Sequence, residues 1–139
     1  MSTHSVIAVA YPDHLEAVYC HWDGYLEHVG KILFSHYDRE KAIKLVKLGY
    51  ISSLDKDIGE KHDFDDSELG STTFYGRDRG DDGCEKKRVN NIEELYSEFD
   101  EYFYYIMGTD GKWYFSNGHN FPILLSEALV NMKLLAKLG

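Results

Sequence analysis

The sequence carries a hairpin pattern near each end, and this constrains its fold more than any other feature. Residues 5–11 read as a short β-branched strand, Pro12, Asp13 and His14 supply turn chemistry, and residues 15–22 read as a second extended run. Toward the other end, YFYYIM at 102–107 and KWYFSN at 112–117 flank GTDG, where Asp110 and Gly111 suit a tight turn. Two hairpins without a repeating βα unit predict an α+β fold, an antiparallel or mixed sheet with helices packed against it. A small β-rich half barrel with peripheral helices is the alternative.

Helical periodicity fills the space between the hairpins. After a break at Asp23 and Gly24, the residues Leu26, Val29, Leu33 and Tyr37 recur at spacings of three and four and mark one helical face. Gly30 inside that run signals close packing or ligand approach. Asp38 is the N-cap of a second helix that buries Ala42, Ile43, Leu45 and Val46 and stops at Gly49. Residues 71–75 form a strand, with a further one at 84–89. Asn91 followed by Glu94 opens a helix with Ile92, Leu95, Tyr96 and Phe99 inward. Residues 122–138 make a C-terminal helix with Leu125, Ala128, Leu129, Met132 and Leu135 on one stripe. The resulting order is roughly ββααβ(β)αββα. At 139 residues, 43% apolar and 14% aromatic, the chain suits a single domain over 1–139 with its own core.

Charge narrows the function classes. Fifteen basic against 24 acidic residues give a formal charge of -9, which opposes direct binding to nucleic acid. Residues 55–68, DKDIGEKHDFDDSE, hold seven acids and two bases and predict a solvated loop. Within it Asp57, Asp63, Asp65 and Asp66 are candidate contacts for a basic protein partner, including a nucleic-acid-binding one. No basic leader precedes an apolar stretch, and no apolar run reaches the roughly 18–20 residues of a membrane span. Cys20 and Cys84 form no CxxC arrangement, so neither a disulfide framework nor a thiolate zinc site is expected. The expected compartment is the cytoplasm.

Two motifs invite chemical readings. In YCHWDGYLEH at 19–28, alternation places Ala17, Tyr19 and His21 on one strand face and Val18, Cys20 and Trp22 on the other, with Trp22 packing inward. The start of the following helix favours an anion. There Trp22 or Tyr25 would stack a base and His28 would hold phosphate. In GRDRG, Arg77 and Arg79 flank Asp78, so two guanidiniums could clamp phosphate while Asp78 positions one of them. The plainer readings are a strand-to-helix corner for the first motif and an irregular exposed loop for the second. The spacing H-x-D-x4-H matches no diagnostic metal pattern, and no cofactor is expected. With no GxSxG, HExxH or CxxC motif, and with Cys20 and His21 on opposite strand faces, no catalytic residue is assigned.

The words VIAV, AVYCHWDGYLEHVGKIL, LGYISSLDKDIGEKHDFDD and TFYGRDRG resemble a family of small, mostly uncharacterised proteins encoded by bacteriophages and prophages. The resemblance covers about residues 5–88, and those relatives often carry a proline at the position of Leu26. It implies a phage accessory protein in the host cytoplasm that binds and disables a host component, most plausibly as an antidefence, anti-CRISPR-like inhibitor. The alternative is a binder or sponge for a nucleotide signal.

Overall fold

A computed structural model describes residues 3–66 and 69–138. Both hairpins form. β1 (Ser5–Ala10) pairs antiparallel with β2 (Leu15–Cys20), and β6 (Tyr104–Met107) with β7 (Trp113–Ser116). The second turn closes through Gly111 N–H donating to the Gly108 carbonyl at 3.0 Å, with Gly111 at φ 81°. β1 and β6 join in parallel, so the two hairpins form the centre of one mixed eight-stranded sheet. Its order is β4-β3-β2-β1-β6-β7-β8, with β3 (Ile51–Ser53), β4 (Thr73–Phe74) and β8 (Ile123–Leu124) outside the central four, while β5 (Lys87–Val89) also pairs with β2.

Strand alternation sends side chains to two cores. Ile7, Val9, Val18, Cys20, Tyr105, Met107 and Trp113 point to one side, where α1 (Lys31–His36), α2 (Arg39–Lys47) and α5 (Leu125–Leu138) cover them with Leu33, Ala42, Leu45, Leu125 and Leu129. Val6, Ala8, Leu15, Ala17, Tyr104 and Ile106 point to the other, where α4 (Ile92–Phe99) contributes Leu95. The sheet is thus sandwiched, but α4 is short. Tyr19 and His21, further along β2 on the α4 side, are only partly buried.

The helix signals hold with informative differences. Asp38 and Asn91 cap α2 and α4, accepting the backbone N–H of Lys41 at 2.9 Å and of Glu94 at 2.8 Å. Ile43 is only partly buried. Residues 26–30 form a single π turn ahead of α1, with Leu26 as its first helical residue. A Cβ on Gly30 would lie 3.3 Å from the Tyr105 ring, so the glycine serves close packing. The C-terminal helix starts at Leu125 rather than at residue 122, because Ile123 and Leu124 pair with β7 first. Leu135 lies on the predicted inner stripe but is exposed, because the helix runs past the domain it packs on. The run GRDRGDDG contains more order than its glycines suggest. Tyr75–Arg79 is a single helical turn, α3, closed by Gly80 in the left-handed conformation.

Candidate functional site

The strand-to-helix corner at 19–28 is built on a glycine. A Cβ at Gly24 would stand 2.6 Å from Ser5 Cβ and 2.8 Å from the His4 carbonyl carbon, so only glycine fits against the start of β1. Gly24 N–H donates to the Thr3 carbonyl at 2.8 Å, and its own carbonyl accepts the buried Tyr105 hydroxyl at 2.6 Å. Asp23 takes φ 56°, a conformation that costs a non-glycine residue energy and is held by these contacts. This kink corrects the expectation that Trp22 packs inward. β2 ends at Cys20, the alternation is broken, and the Trp22 ring lies 46% exposed, edge-on to His21 at 4.7 Å between ring centroids.

Around this corner the uncovered part of the sheet carries a continuous aromatic surface. His4 stacks on His21 with centroids 4.8 Å apart, and Tyr19 meets His4 at 5.3 Å and Tyr50 at 5.9 Å. Tyr50 in turn meets Phe99 of α4 at 6.3 Å. The Tyr19 hydroxyl and His21 Nδ1 are 2.7 Å apart. Burial pushes the Tyr19 phenol up to about 12, with the Glu101 carboxylate adding to the effect, so it stays protonated. Burial also holds His21 below its ordinary value, and the neighbouring His4 adds to this. Trp22 backbone N–H donates to the Ser52 carbonyl at 3.0 Å, and Tyr75 N–H to that of Tyr50 at 3.3 Å. Through Tyr75 the surface continues to Phe64, at 5.6 Å, and to the Arg79 guanidinium, 4.3 Å over Phe64 and 5.2 Å over Tyr75.

The YCHWDGY and YGRDRG motifs are linked through Tyr50, whose ring meets that of Tyr19 and whose carbonyl accepts the Tyr75 N–H, rather than through a phosphate clamp. All five N–H donors of Arg77 are used inside the fold: Nε and Nη2 on the Asp78 carboxylate at 3.0 and 3.3 Å, Nη1 on the carbonyls of Ile58 and Gly59 at 3.1 and 2.9 Å, and Nη2 on that of Thr72 at 2.8 Å. Asp78 has no exposed side-chain surface and accepts the backbone N–H of His62 at 3.0 Å and of Phe74 at 2.8 Å. Burial alone would raise its carboxyl, but Arg77 and these N–H groups outweigh burial and hold it below the ordinary value. To ligate phosphate, Arg77 would have to abandon this network. Arg79 forms a two-pronged ion pair with Asp81 at 2.8 and 2.9 Å, which occupies one edge of its guanidinium.

The consequence is that residues 58–62 are fastened to α3 and β4. His62 Nδ1–H donates to the Glu60 carbonyl at 3.0 Å, and Nε2 lies 3.0 Å from Thr73 Oγ1. Residues 55–66 of the acidic stretch form a loop, as its composition predicts, yet a braced one, while Ser67 and Glu68 lie outside the described residues. Asp57, Asp63, Asp65 and Asp66 all face solvent. Asp57 lies 3.9 Å from Lys41 Nζ.

The Tyr25 and His28 rings lie 6.2 Å apart; Tyr25 is exposed, and His28 Nδ1 is buried with no hydrogen-bond partner among the described residues. Among the described residues no cluster of three or more His, Cys, Asp or Glu side chains is arranged to hold a metal, and no helix is long and apolar enough to cross a membrane. Sequence reasoning missed His4, Tyr50 and Phe64 as members of the surface and placed Tyr75 with the arginine motif alone. For Tyr19 and His21 the signal was present in their shared strand face. For Tyr50 and Tyr75 it was not, since they join through pairing of β2, β3 and β4 across distant segments. Comparison of the chain with known protein families, with curated proteins and with solved structures finds no match in any of the three, so the function has to be argued from this geometry.

Proposed function

We propose that the protein is a protein-binding module that docks a basic partner, using the aromatic surface as the contact and the braced acidic loop as the electrostatic guide. The observation that carries this reading is the Arg77–Asp78–His62 network, which fixes the acidic loop beside exposed aromatic rings before any partner arrives. Tyr, Trp and Arg are the residues that most often dominate protein interfaces, and a preset loop loses little conformational entropy on binding. The outward carboxylates would speed encounter with a positively charged target and exclude nucleic acid from it.

In the phage setting that the sequence resembles, such a module acts stoichiometrically on a host component in the cytoplasm, as an antidefence, anti-CRISPR-like inhibitor. The target is then a nucleic-acid-binding host protein with a basic groove. The test is capture of a host protein from lysate by wild type, followed by affinity measurements at several salt concentrations. Changing Asp63, Asp65 and Asp66 together to Asn should weaken binding and flatten its salt dependence. Trp22→Ala should weaken binding while leaving the salt slope intact. Unchanged affinity in both variants would sink the proposal.

A nucleotide ligand is the second reading, favoured by the exposed rings of Trp22 and Tyr25 beside a helix start. The internal hydrogen bonding of Arg77 weighs against it. Thermal stabilisation by one member of a nucleotide panel, lost in Trp22→Ala, would favour it.

A further inference from the structure

α5 begins buried and ends bare. Leu125, Ala128 and Leu129 sink into the core and Met132 is partly covered, whereas Val130, Leu134, Leu135 and Leu138 are 59, 55, 69 and 80% exposed. Helical spacing continues the inner stripe from Ala128 through Met132 to Leu135, one turn past the surface that this domain offers. On the outer side Ser126, Val130, Leu134 and Leu138 follow at intervals of four. Ser126 lines a groove of about 890 Å³ whose walls include Phe34, Trp113 and Leu124. The helix thus has a projecting apolar end and, near its start, a recess whose walls mix these apolar side chains with the charged Asp38, Glu40, Lys41, Lys44 and Lys112.

We propose that this face binds a second copy of the chain, with the two α5 helices antiparallel about a two-fold axis. Leu134, Leu135 and Leu138 of each copy then lie against Phe34, Leu124 and the recess of the other. A two-fold contact requires a patch complementary to itself, and a projection and a recess at opposite ends of one helix meet that requirement.

Area and charge favour this occupant. The exposed parts of the four helix residues with Phe34 amount to on the order of 600 Å² per copy, one partner's share at the low end of a standard interface. That is the upper end of the roughly 300–600 Å² of the largest apolar patch on a typical monomer. The charge is locally favourable too. Within a chain of formal charge -9, α5 carries Glu127 against Lys133 and Lys137, so two copies meet at a locally basic element. Antiparallel pairing brings those lysines toward the other copy's Glu127 and opposes the helix dipoles.

Sedimentation equilibrium of the full chain decides the matter. Wild type should show a concentration-dependent mass approaching twice 16.1 kDa, and Leu134→Glu with Leu138→Glu should return it to 16.1 kDa at the same concentration. Both side chains are exposed, so the variant's melting curve at low concentration should match wild type and certify its fold. A mass of 16.1 kDa up to about 1 mM, the weak end of specific association, would overturn the proposal. So would a dimer that survives both substitutions. Pelleting of a monomeric protein with anionic vesicles would assign the face to a lipid surface instead. Neutralising the acidic loop should leave the mass unchanged, which separates this test from that of partner binding.

Discussion

His4 lies stacked on His21, centroids 4.8 Å apart and planes 28° from parallel, so two imidazoles share one surface. Burial holds His21 below its unfolded value of 6.5, and His4 adds to this. The unfolded chain therefore binds more protons as pH falls past 6.5, and stability must decline from there toward the lowered folded value, not rise. Melting temperatures between about pH 7.5 and about pH 5 should show this decline. His21→Asn, which can still meet the Tyr19 hydroxyl but does not titrate, should flatten it; an unchanged slope would remove His21 as the source.

Asp78 is the second prediction. Asp78→Ala strips Arg77 of its buried counter-ion and leaves the N–H groups of His62 and Phe74 without their acceptor. The expected cost is about 3–5 kcal/mol, the usual result of breaking one half of a buried ion pair. Urea unfolding should register it as a lower midpoint, and proteolysis should cut the variant first within the acidic loop. Because the folded carboxyl lies below its ordinary value of 3.8, the stabilisation is complete above that pH and is lost as pH falls through the depressed value.

Arg39 joins the two hairpins. Its Nη1 donates to the Gly108 carbonyl at 2.9 Å and its Nη2 to that of Ala10 at 2.8 Å, so a single guanidinium bridges the ends of β1 and β6. Arg39→Met should cost about 2–3 kcal/mol, since hydrogen bonds from charged groups are worth about 1.5–3 kcal/mol each and the partners regain some water. Arg39→Lys should recover little of this, because an ammonium cannot span both carbonyls with a planar fork. Denaturant midpoints of the two variants should fall close together.

Gly24→Ala places a methyl group against Ser5 and the His4 backbone. It should destabilise by about 1–3 kcal/mol, as overpacking does, and disturb the imidazole stack. Histidine ring proton shifts of His4 and His21 are the readout, and their preservation would show that the corner can yield.

Much of the architecture is local and therefore legible in the sequence. The hairpins rest on alternation and turn residues, and α2 and α4 on the caps Asp38 and Asn91, features that act over a few residues. Leu125 shows the limit. Nothing local separates Ile123 and Leu124 from the helix that follows, and only pairing with β7 makes them extended. The site was half visible for the same reason. Arg77 and Asp78 stand out as charged groups, but charge does not say whether a guanidinium faces solvent or five internal acceptors. That depends on residues 58–62 returning to α3, a contact made through backbone carbonyls that carry no side-chain signature.

Tyr19 of the aromatic surface shares its strand face with Ala17, in the core under α4, whereas Leu125 and Leu129 pack in the core on the opposite side of the sheet. A partner on the first surface and a copy on the second would not compete for space. A pair joined through α5 would hold its two binding surfaces pointing outward, back to back. Against an oligomeric or densely arrayed target such a pair gains avidity through effective concentration, and it can cross-link two target molecules rather than cap one.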